Sequence, residues 1–305
     1  MLTSVLRSAD AATAGISKHQ LAAMQASGEV VQPFRGVYLA AGVSDDPLAR
    51  ARALACVLPP GAAACRETAA WIHGTDARPP GQHREPVRLE CLVPVGMARR
   101  RHHGLRCFES TLSSSDVAIV NGVPTTTPLR TALDLARYSP AYMALGCVDD
   151  LAHRGLVQID ALAHLARRLP GQRGIARARQ VIEWADARTE SFGESWLRLR
   201  LLQAGLPRPD VQIEITDVSG RVVFRLDSGY PEARVGIEYD GDQFHYATTA
   251  QRQHDEARRS LLKSRFGWDV VGAHRGDVLG MSPQLERAVA EMVAFEGVLF
   301  GRQHW

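Results

Sequence analysis

Apolar and polar residues alternate in three runs of the last third of the chain, Val211–Thr216, Val222–Asp227 and Arg234–Tyr239. This two-residue period predicts β-strands with one buried face. A helical pattern precedes them at about residues 191–204. A helix opening at Thr248, a strand at Trp268–Ala273 and a last helix at about 283–296 follow them. The order α-β-β-β-α-β-α predicts an α/β domain over residues 189–305.

The first 44 residues follow a different pattern. Ser17–Gln20 has the capping-box sequence that begins a helix, and residues 2–12 have the spacing of an earlier one. Two short β-like runs, 30–32 and 36–39, flank a turn at Pro33-Phe34-Arg35. Two helices followed by a hairpin predict a winged helix-turn-helix domain over residues 1–44.

Residues 45–188 predict a middle domain that mixes helices and strands, which makes the whole chain α/β in the broad α+β sense. The expected elements are helices at 46–58, 64–73 and from Leu129 onward, and strands at 87–93 and 105–108. The run Gly122–Pro128 is expected to be a turn that leads into the third helix.

Composition narrows the function classes. With 45% hydrophobic and 23% charged residues, the chain is typical of globular proteins; it has no apolar run of membrane length, and the N-terminal pattern leads us to expect no signal peptide. Five cysteines without C-x-x-C spacing argue against a disulfide framework and a structural zinc site, so a reducing cytoplasm is expected.

The basic residues are nearly all arginine. Net charge is +3, and only Lys18 and Lys263 are lysines, so 34 of the 36 basic residues are arginine. Arginine suits phosphate and base edges, but a GC-rich genome would also produce this bias. In a winged helix the second helix enters the major groove and the wing touches the backbone. Lys18, His19 and Gln20 are therefore the expected groove residues and Arg35 the expected wing-tip residue.

The alternation of side chains between the two faces of a strand brings three carboxylates together. If Glu232-Ala233 forms a two-residue turn, Leu226 pairs with Tyr239 and Asp227 pairs with Glu238, so that Asp240 joins both acids on the polar face. Facing acids repel, and a divalent cation such as Mg²⁺ or Mn²⁺ would neutralise them. The alternative is an ordinary set of solvent-exposed acids on an edge hairpin.

Neighbouring residues could complete a site for phosphodiester hydrolysis. Glu194 could add a fourth carboxylate, although it could also only cap its helix. His245 could transfer protons near neutral pH, or it could be an ordinary loop histidine. Arg258 and Arg259 could hold phosphate. In this hypothesis Asp227 and Glu238 bind the metal, with Asp240 and Glu194 in support.

The same stretch resembles a known nuclease family. Its matching pieces are Ser191–Ser195, Ala204–Pro207, Gln212, Asp227, Pro231-Glu232, Glu238–Gly241, His245, Asp255–Arg259 and Gly267-Trp268. They resemble the Vsr-like domains of the PD-(D/E)XK superfamily, which are related to very-short-patch mismatch endonucleases. The resemblance implies an Mg²⁺-dependent fold in which Asp227 and Glu238 hold metal. Asp240 stands where the superfamily usually has its lysine, and Ser228 where an apolar residue is usual.

The front of the chain resembles a second family. The pieces Gly15–Leu21, Gly36–Tyr38, Ala69–Gly74 and Thr126–Asp134 are similar to antitoxins of the AbiEi type. That resemblance implies a winged-helix head that binds operator DNA in a toxin–antitoxin regulator. It does not imply that this chain has a toxin partner.

Two functions follow as hypotheses. The first is a metal-dependent DNA endonuclease directed by its winged helix. The alternative is a transcriptional regulator or antitoxin that binds a palindromic operator as a homodimer and whose nuclease-like domain is inactive. The missing lysine favours the alternative and the retained carboxylates favour the first. Cleavage of RNA instead of DNA is a further possibility, and no membrane partner is expected.

Overall fold

The computed structural model describes residues 5–44, 46–59, 61–78, 89–96, 105–240 and 256–302. The chain forms two compact units, one of residues 1–139 with 156–178 and the other of residues 140–155 with 179–305. Both mix helices with sheets, which confirms the predicted α/β class in its broad sense. No helix within the described ranges is long and apolar enough to cross a membrane.

The first unit begins with a small winged head. Its elements are β1 (Leu6–Arg7), α1 (Ser8–Ala11), α2 (Lys18–Ala26), β2 (Val30–Phe34) and β3 (Val37–Ala40). The three strands form a sheet in the order β1-β3-β2. The predicted helix at residues 2–12 is wrong at its start, because Leu6 pairs with Tyr38 and buries its side chain beside Ala11 and Leu21.

The wing differs from its prediction in one detail. Pro33 and Phe34 belong to strand β2, and the turn is formed by Arg35-Gly36, where Gly36 has a φ of 76°. The register shifts between Val31 and Phe34, so the proline lies at a β-bulge. A proline has no N–H for the ladder, and a bulge is one of the few places in a sheet that tolerates it.

The rest of the first unit surrounds a five-stranded sheet in the order β6-β5-β4-β8-β7. The strands are β4 (Ala63–Ala64), β5 (Leu89–Val93), β6 (Leu105–Glu109), β7 (Val117–Val120) and β8 (Val123–Thr126). The helices are α3 (Pro47–Ala55), α4 (Arg66–Ile72), α5 (Pro128–Tyr138), α7 (Ile159–Arg167) and the first part of α8 (Ile175–Trp184).

The prediction of a turn at Gly122–Pro128 is wrong, because most of this run is strand β8. The turn lies one step earlier, where Asn121 and Gly122 have φ of 50° and 84° and connect Val120 to its partner Val123. Asn-Gly between two strands is the strongest short-range signal for a tight hairpin, since both residues tolerate positive φ.

The second unit has a four-stranded sheet in the order β12-β11-β10-β9. Its strands are β9 (Asp210–Thr216), β10 (Val222–Tyr230), β11 (Val235–Asp240) and β12 (Asp269–His274), and its helices include α6 (Ala141–His153), α9 (Phe192–Gln203), Arg275–Leu279 and Gln284–Met292. Among the described strands of this sheet, only β11 and β12 pair in parallel. The predicted alternation is confirmed: Ile237 and Ala273 bury against Trp196 and Leu201 of α9.

A fully buried ion pair connects α6 to α9. The Arg198 guanidinium contacts the Asp149 carboxylate, and neither side chain is more than 1% exposed. Asp149 also accepts hydrogen bonds from Ser195 Oγ at 2.6 Å and from the backbone N–H of Asp186 at 2.8 Å. Arg198 in turn donates to the carbonyl of Trp184 at 3.1 Å. The charges are therefore paired and their remaining hydrogen-bonding capacity is used.

We expect Asp149→Asn to lower the free energy of unfolding by about 3–5 kcal/mol, because it leaves the Arg198 charge buried without a counter-ion. Denaturant titration followed by circular dichroism measures the change. The matched control is Asp150→Asn on the same helix, whose pair with Arg154 at 3.5 Å is partly exposed and should be worth about 1 kcal/mol or less. Equal effects of the two substitutions would contradict this account.

Candidate functional site

The winged head presents cationic side chains at the start of α2. Ser17 caps this helix: its Oγ accepts the N–H of Gln20 at 3.2 Å, and Gln20 Oε1 accepts the N–H of Ser17 at 2.8 Å. The predicted capping box is thus confirmed. Lys18 and His19 lie in the first turn and are exposed. The cap fixes the direction in which this end of the helix faces solvent.

The other two predicted head residues differ in their surroundings. Gln20 is exposed, but its side-chain oxygen is engaged by both the N–H and the hydroxyl of Ser17. Arg35 lies in the hairpin turn and is exposed. Lys18, His19 and Arg35 therefore have solvent-facing side chains on the two elements that contact DNA in winged helices, whereas Gln20 serves the cap.

The predicted register between β10 and β11 is confirmed. Ser228 pairs with Ile237 and Tyr230 with Val235, and the same register places Asp227 across from Glu238. The turn is longer than expected, since a short helix at Pro231–Ala233 and a left-handed Arg234 connect the strands. The turn is nevertheless centred where it was predicted, so each side chain lies on the predicted face of the sheet.

Four acids form a carboxylate cluster around this hairpin, namely Glu194, Asp227, Glu238 and Asp240. Asp227 is the central one. Burial raises the pKa of its carboxyl to about 6. Its acceptance of the Tyr239 N–H at 2.9 Å opposes that rise, and the other three acids add to it. Asp227 is therefore protonated more readily than an ordinary aspartate.

Arginines neutralise two members of the carboxylate cluster. Arg258 Nη1 lies 2.6 Å from both carboxylate oxygens of Glu238, and its guanidinium stacks over Phe224 at 5.6 Å. Arg259 Nη2 lies 3.3 Å from Asp240 Oδ2. Both arginines project from a helical segment at residues 256–261. The two side chains predicted to hold phosphate thus contact carboxylates of the protein itself.

The pair between Arg259 and Asp240 lies directly over a glycine. Gly272 on β12 lies beside Glu238 in the parallel ladder. A Cβ at Gly272 would come within 2.5 Å of Arg259 Nη2 and 2.8 Å of Asp240 Oδ2, closer than packed atoms allow. His274, the ladder partner of Asp240, places its Nδ1 4.0 Å from Asp240 Oδ2. Asp240 is therefore contacted by the Arg259 guanidinium and lies beside the His274 imidazole.

Glu194 contacts β9 through a residue that the sequence analysis did not assign a role. Gln212 Nε2 donates to Glu194 Oε2 at 2.9 Å, and the backbone N–H of Glu190 donates to the same oxygen at 3.1 Å. Gln212 has a φ of 52°, a strained conformation for a residue with a side chain, and its Oε1 is buried without a partner among the described residues. Gln212 is one of the residues that resemble the nuclease family, and this match is the feature of the sequence that could have identified it.

The residues as they lie do not fit a divalent cation. In the described part of the chain, no group of three or more His, Cys, Asp or Glu side chains could hold a metal ion. Arg258 occupies both oxygens of Glu238, the predicted partner of Asp227 in metal binding. No catalytic step through Mg²⁺ follows from this arrangement. His245 lies outside the described residues.

Comparison with known proteins places most of the first unit in one family. Residues 3–41 match the family described as "Transcriptional regulator, AbiEi antitoxin", and residues 62–184 match the family described as "AbiEi antitoxin C-terminal domain". The first match covers the winged head. The second ends at residue 184, before the sheet that carries the carboxylate cluster.

Two relatives extend the similarity further along the chain. They are uncharacterized proteins of Mycobacterium tuberculosis, from strains CDC 1551 and H37Rv. Each is 30% identical over 256 residues, which cover 84% of this chain and 89% of the relative. Together with the two matched segments, they show that the chain belongs to the AbiEi antitoxin family.

Proposed function

We propose that the protein is a DNA-binding transcriptional regulator whose winged head recognises operator DNA. The observation that carries the proposal is the exposed basic surface formed by Lys18 and His19 at the capped start of α2, with Arg35 in the turn of the wing. A helix and a hairpin presented in this way can contact the major groove and the adjacent backbone together. The match of residues 3–41 to a family of transcriptional regulators supports it.

The three side chains would have different tasks. Lys18 carries a point charge suited to phosphate, and Arg35 can donate two parallel hydrogen bonds to one phosphate group. His19, beside Lys18, could contact a base edge or a phosphate. Binding of a palindromic operator by a homodimer and neutralisation of a cognate toxin belong to the same proposal. The match to an antitoxin family supports the part of the proposal that concerns a toxin partner.

We expect Lys18→Ala to weaken binding to the DNA upstream of the protein's own gene by about tenfold, because one phosphate contact is lost. The logarithmic dependence of affinity on salt should become shallower by about one unit. Fluorescence anisotropy over a range of salt concentrations measures both quantities. Arg287→Ala, which removes an exposed charge far along the chain in the helix Gln284–Met292, is the matched control and should leave both unchanged.

A second candidate function is the nuclease. The favouring observation is Asp227, an acid with a pKa of about 6 and three acidic neighbours. A cation binding there would have to displace Arg258 from Glu238, so the ion pair competes with the metal. The regulator proposal needs no such rearrangement and is therefore preferred.

A plasmid assay separates the two candidates. We expect the wild-type protein to bind its operator and to leave supercoiled plasmid intact in Mg²⁺ and in Mn²⁺, because Arg258 and Arg259 occupy Glu238 and Asp240. Asp227→Asn should bind the operator as tightly as the wild type. Nicking by the wild type that disappears in Asp227→Asn would establish the nuclease instead, whereas nicking that persists in the variant would indicate a contaminant.

The raised pKa of Asp227 also predicts a pH dependence of stability. Because the folded pKa of about 6 exceeds the ordinary value of 3.8, ionisation destabilises the folded state. This cost is absent below about pH 4 and complete above about pH 7. Asp227→Asn should therefore melt at a higher temperature than the wild type at about pH 8, and the difference should vanish as the pH falls towards 4.

Differential scanning fluorimetry across this range measures the effect. Glu214→Gln is the matched control, since Glu214 is an exposed acid on β9 of the same sheet. Its melting temperature should follow that of the wild type at every pH. An Asp227→Asn protein that is no more stable than the wild type at about pH 8 would show that the carboxylate carries no such cost.

A further inference from the structure

A separate cleft lies in the first unit, between strand β6, the segment that follows it, and helices α5 and α7. Its volume is about 590 Å³, which is within the range of small-molecule sites. Leu92, Leu133, Leu165 and Leu169 form apolar walls, and four arginines line the rest together with hydroxyl and acidic side chains. None of these residues belongs to the winged head or to the carboxylate cluster.

Arg66 is the most constrained of the four arginines. Its guanidinium lies 3.6 Å from the ring centre of Phe108 and 4.2 Å from that of Tyr138, so two aromatic rings fix its plane. Its backbone is strained, with a φ of 49°. Its Nε is buried without a hydrogen-bond partner among the described residues, and Glu90 lies at the 4.0 Å limit of an ion pair. Strain and an unused donor next to a cleft are typical of a binding site.

Two of the three acids that line the cleft, Asp116 and Asp134, are already neutralised by two other arginines. Arg130 lies 3.1 Å from Asp116 and 2.9 Å from Asp134, and Arg137 lies 3.7 Å from Asp134. Glu109 is exposed and lies on the lining beside Phe108. Arg130 and Arg137 are thus the ion-pair partners of Asp116 and Asp134, and neither of these two acids forms an ion pair with Arg66 or Arg168 among the described residues.

Arg168 adds a second available cation. It is exposed, it lines the cleft, and its side chain has no ion pair or hydrogen bond to any other described residue. Four serine and threonine side chains line the cleft as well, those of Ser110, Thr111, Ser113 and Ser115. Hydroxyl donors and guanidinium groups around one cleft match a ligand with several anionic acceptor oxygens.

We propose that this cleft binds a small phosphomonoester of mononucleotide size, with Arg66 and Arg168 on its phosphate and its uncharged part against the leucine walls. A phosphate monoester offers three terminal oxygens to the guanidinium and hydroxyl donors. The apolar walls accept a base or another flat group, and the volume accommodates one. In a transcriptional regulator, such a site would allow a small metabolite to bind the same protein that carries the winged head.

Isothermal titration calorimetry on the full chain tests the proposal with three probes, AMP, adenosine and inorganic phosphate. We expect AMP to bind with a stoichiometry of one. Adenosine should bind at least about tenfold more weakly, because it lacks the charge-assisted hydrogen bonds to the arginines. Inorganic phosphate should compete with AMP. Equal affinity for AMP and adenosine, or no binding of AMP at millimolar concentration, would overturn the proposal.

A charge-reversal variant locates the ligand. Arg168→Glu should weaken AMP binding by about tenfold or more, since an acid would replace a cation at the phosphate. It changes an exposed side chain, so the fold should survive. Arg287→Glu makes the same change of charge away from the cleft and should keep the wild-type affinity within about twofold. AMP binding that Arg168→Glu does not weaken would place the nucleotide elsewhere and refute the site.

Discussion

Pairing of buried arginines with carboxylates is the constraint on which this structure depends. The chain has almost no lysine, and moving a guanidinium out of water is costly unless an acid compensates it. Arg198 and Asp149 meet this requirement between α6 and α9, and Arg302 and Glu286, each 3% exposed, meet it with two contacts of 2.6–2.7 Å. Such pairs contribute little net stability. They nevertheless require a close and well-oriented contact, because a buried charge without its partner is costly.

The same chemistry determines what the carboxylate cluster can do. Facing acids on a hairpin need a cation, and a metal ion is one solution while arginine is another. Arg258 on Glu238 and Arg259 on Asp240 are the solution that this structure adopts. The retained acids therefore do not by themselves argue for catalysis, since they also hold the helical segment 256–261 against the sheet. Among the described residues no arginine donates a hydrogen bond to Asp227, and burial, with the three neighbouring acids adding to it, raises the pKa of its carboxyl to about 6.

The sequence predicted the strand register, which depends on side-chain alternation, but it missed two local signals and every feature that depends on tertiary contact. The β10–β11 register could be predicted from the alternation of apolar and polar side chains, because a shift of one residue would have exposed Ile237 and buried Glu238. The Asn121-Gly122 hairpin was missed, although its signal lies in two adjacent residues. The same holds for Gln20, whose place in the capping box already commits its side chain to Ser17. That Arg258 reaches Glu238 depends on where a helix packs, which no local pattern specifies.

Charge balance also distinguishes the surfaces that can approach nucleic acid. In the carboxylate cluster four acids face two arginines, so Glu194 and Asp227 keep that surface acidic and repel phosphate. On the winged head Lys18 and Arg35 are exposed, and no acid pairs with either of them among the described residues. Long-range attraction of a polyanion therefore favours the head over the cluster, and it weakens with salt because it acts through water.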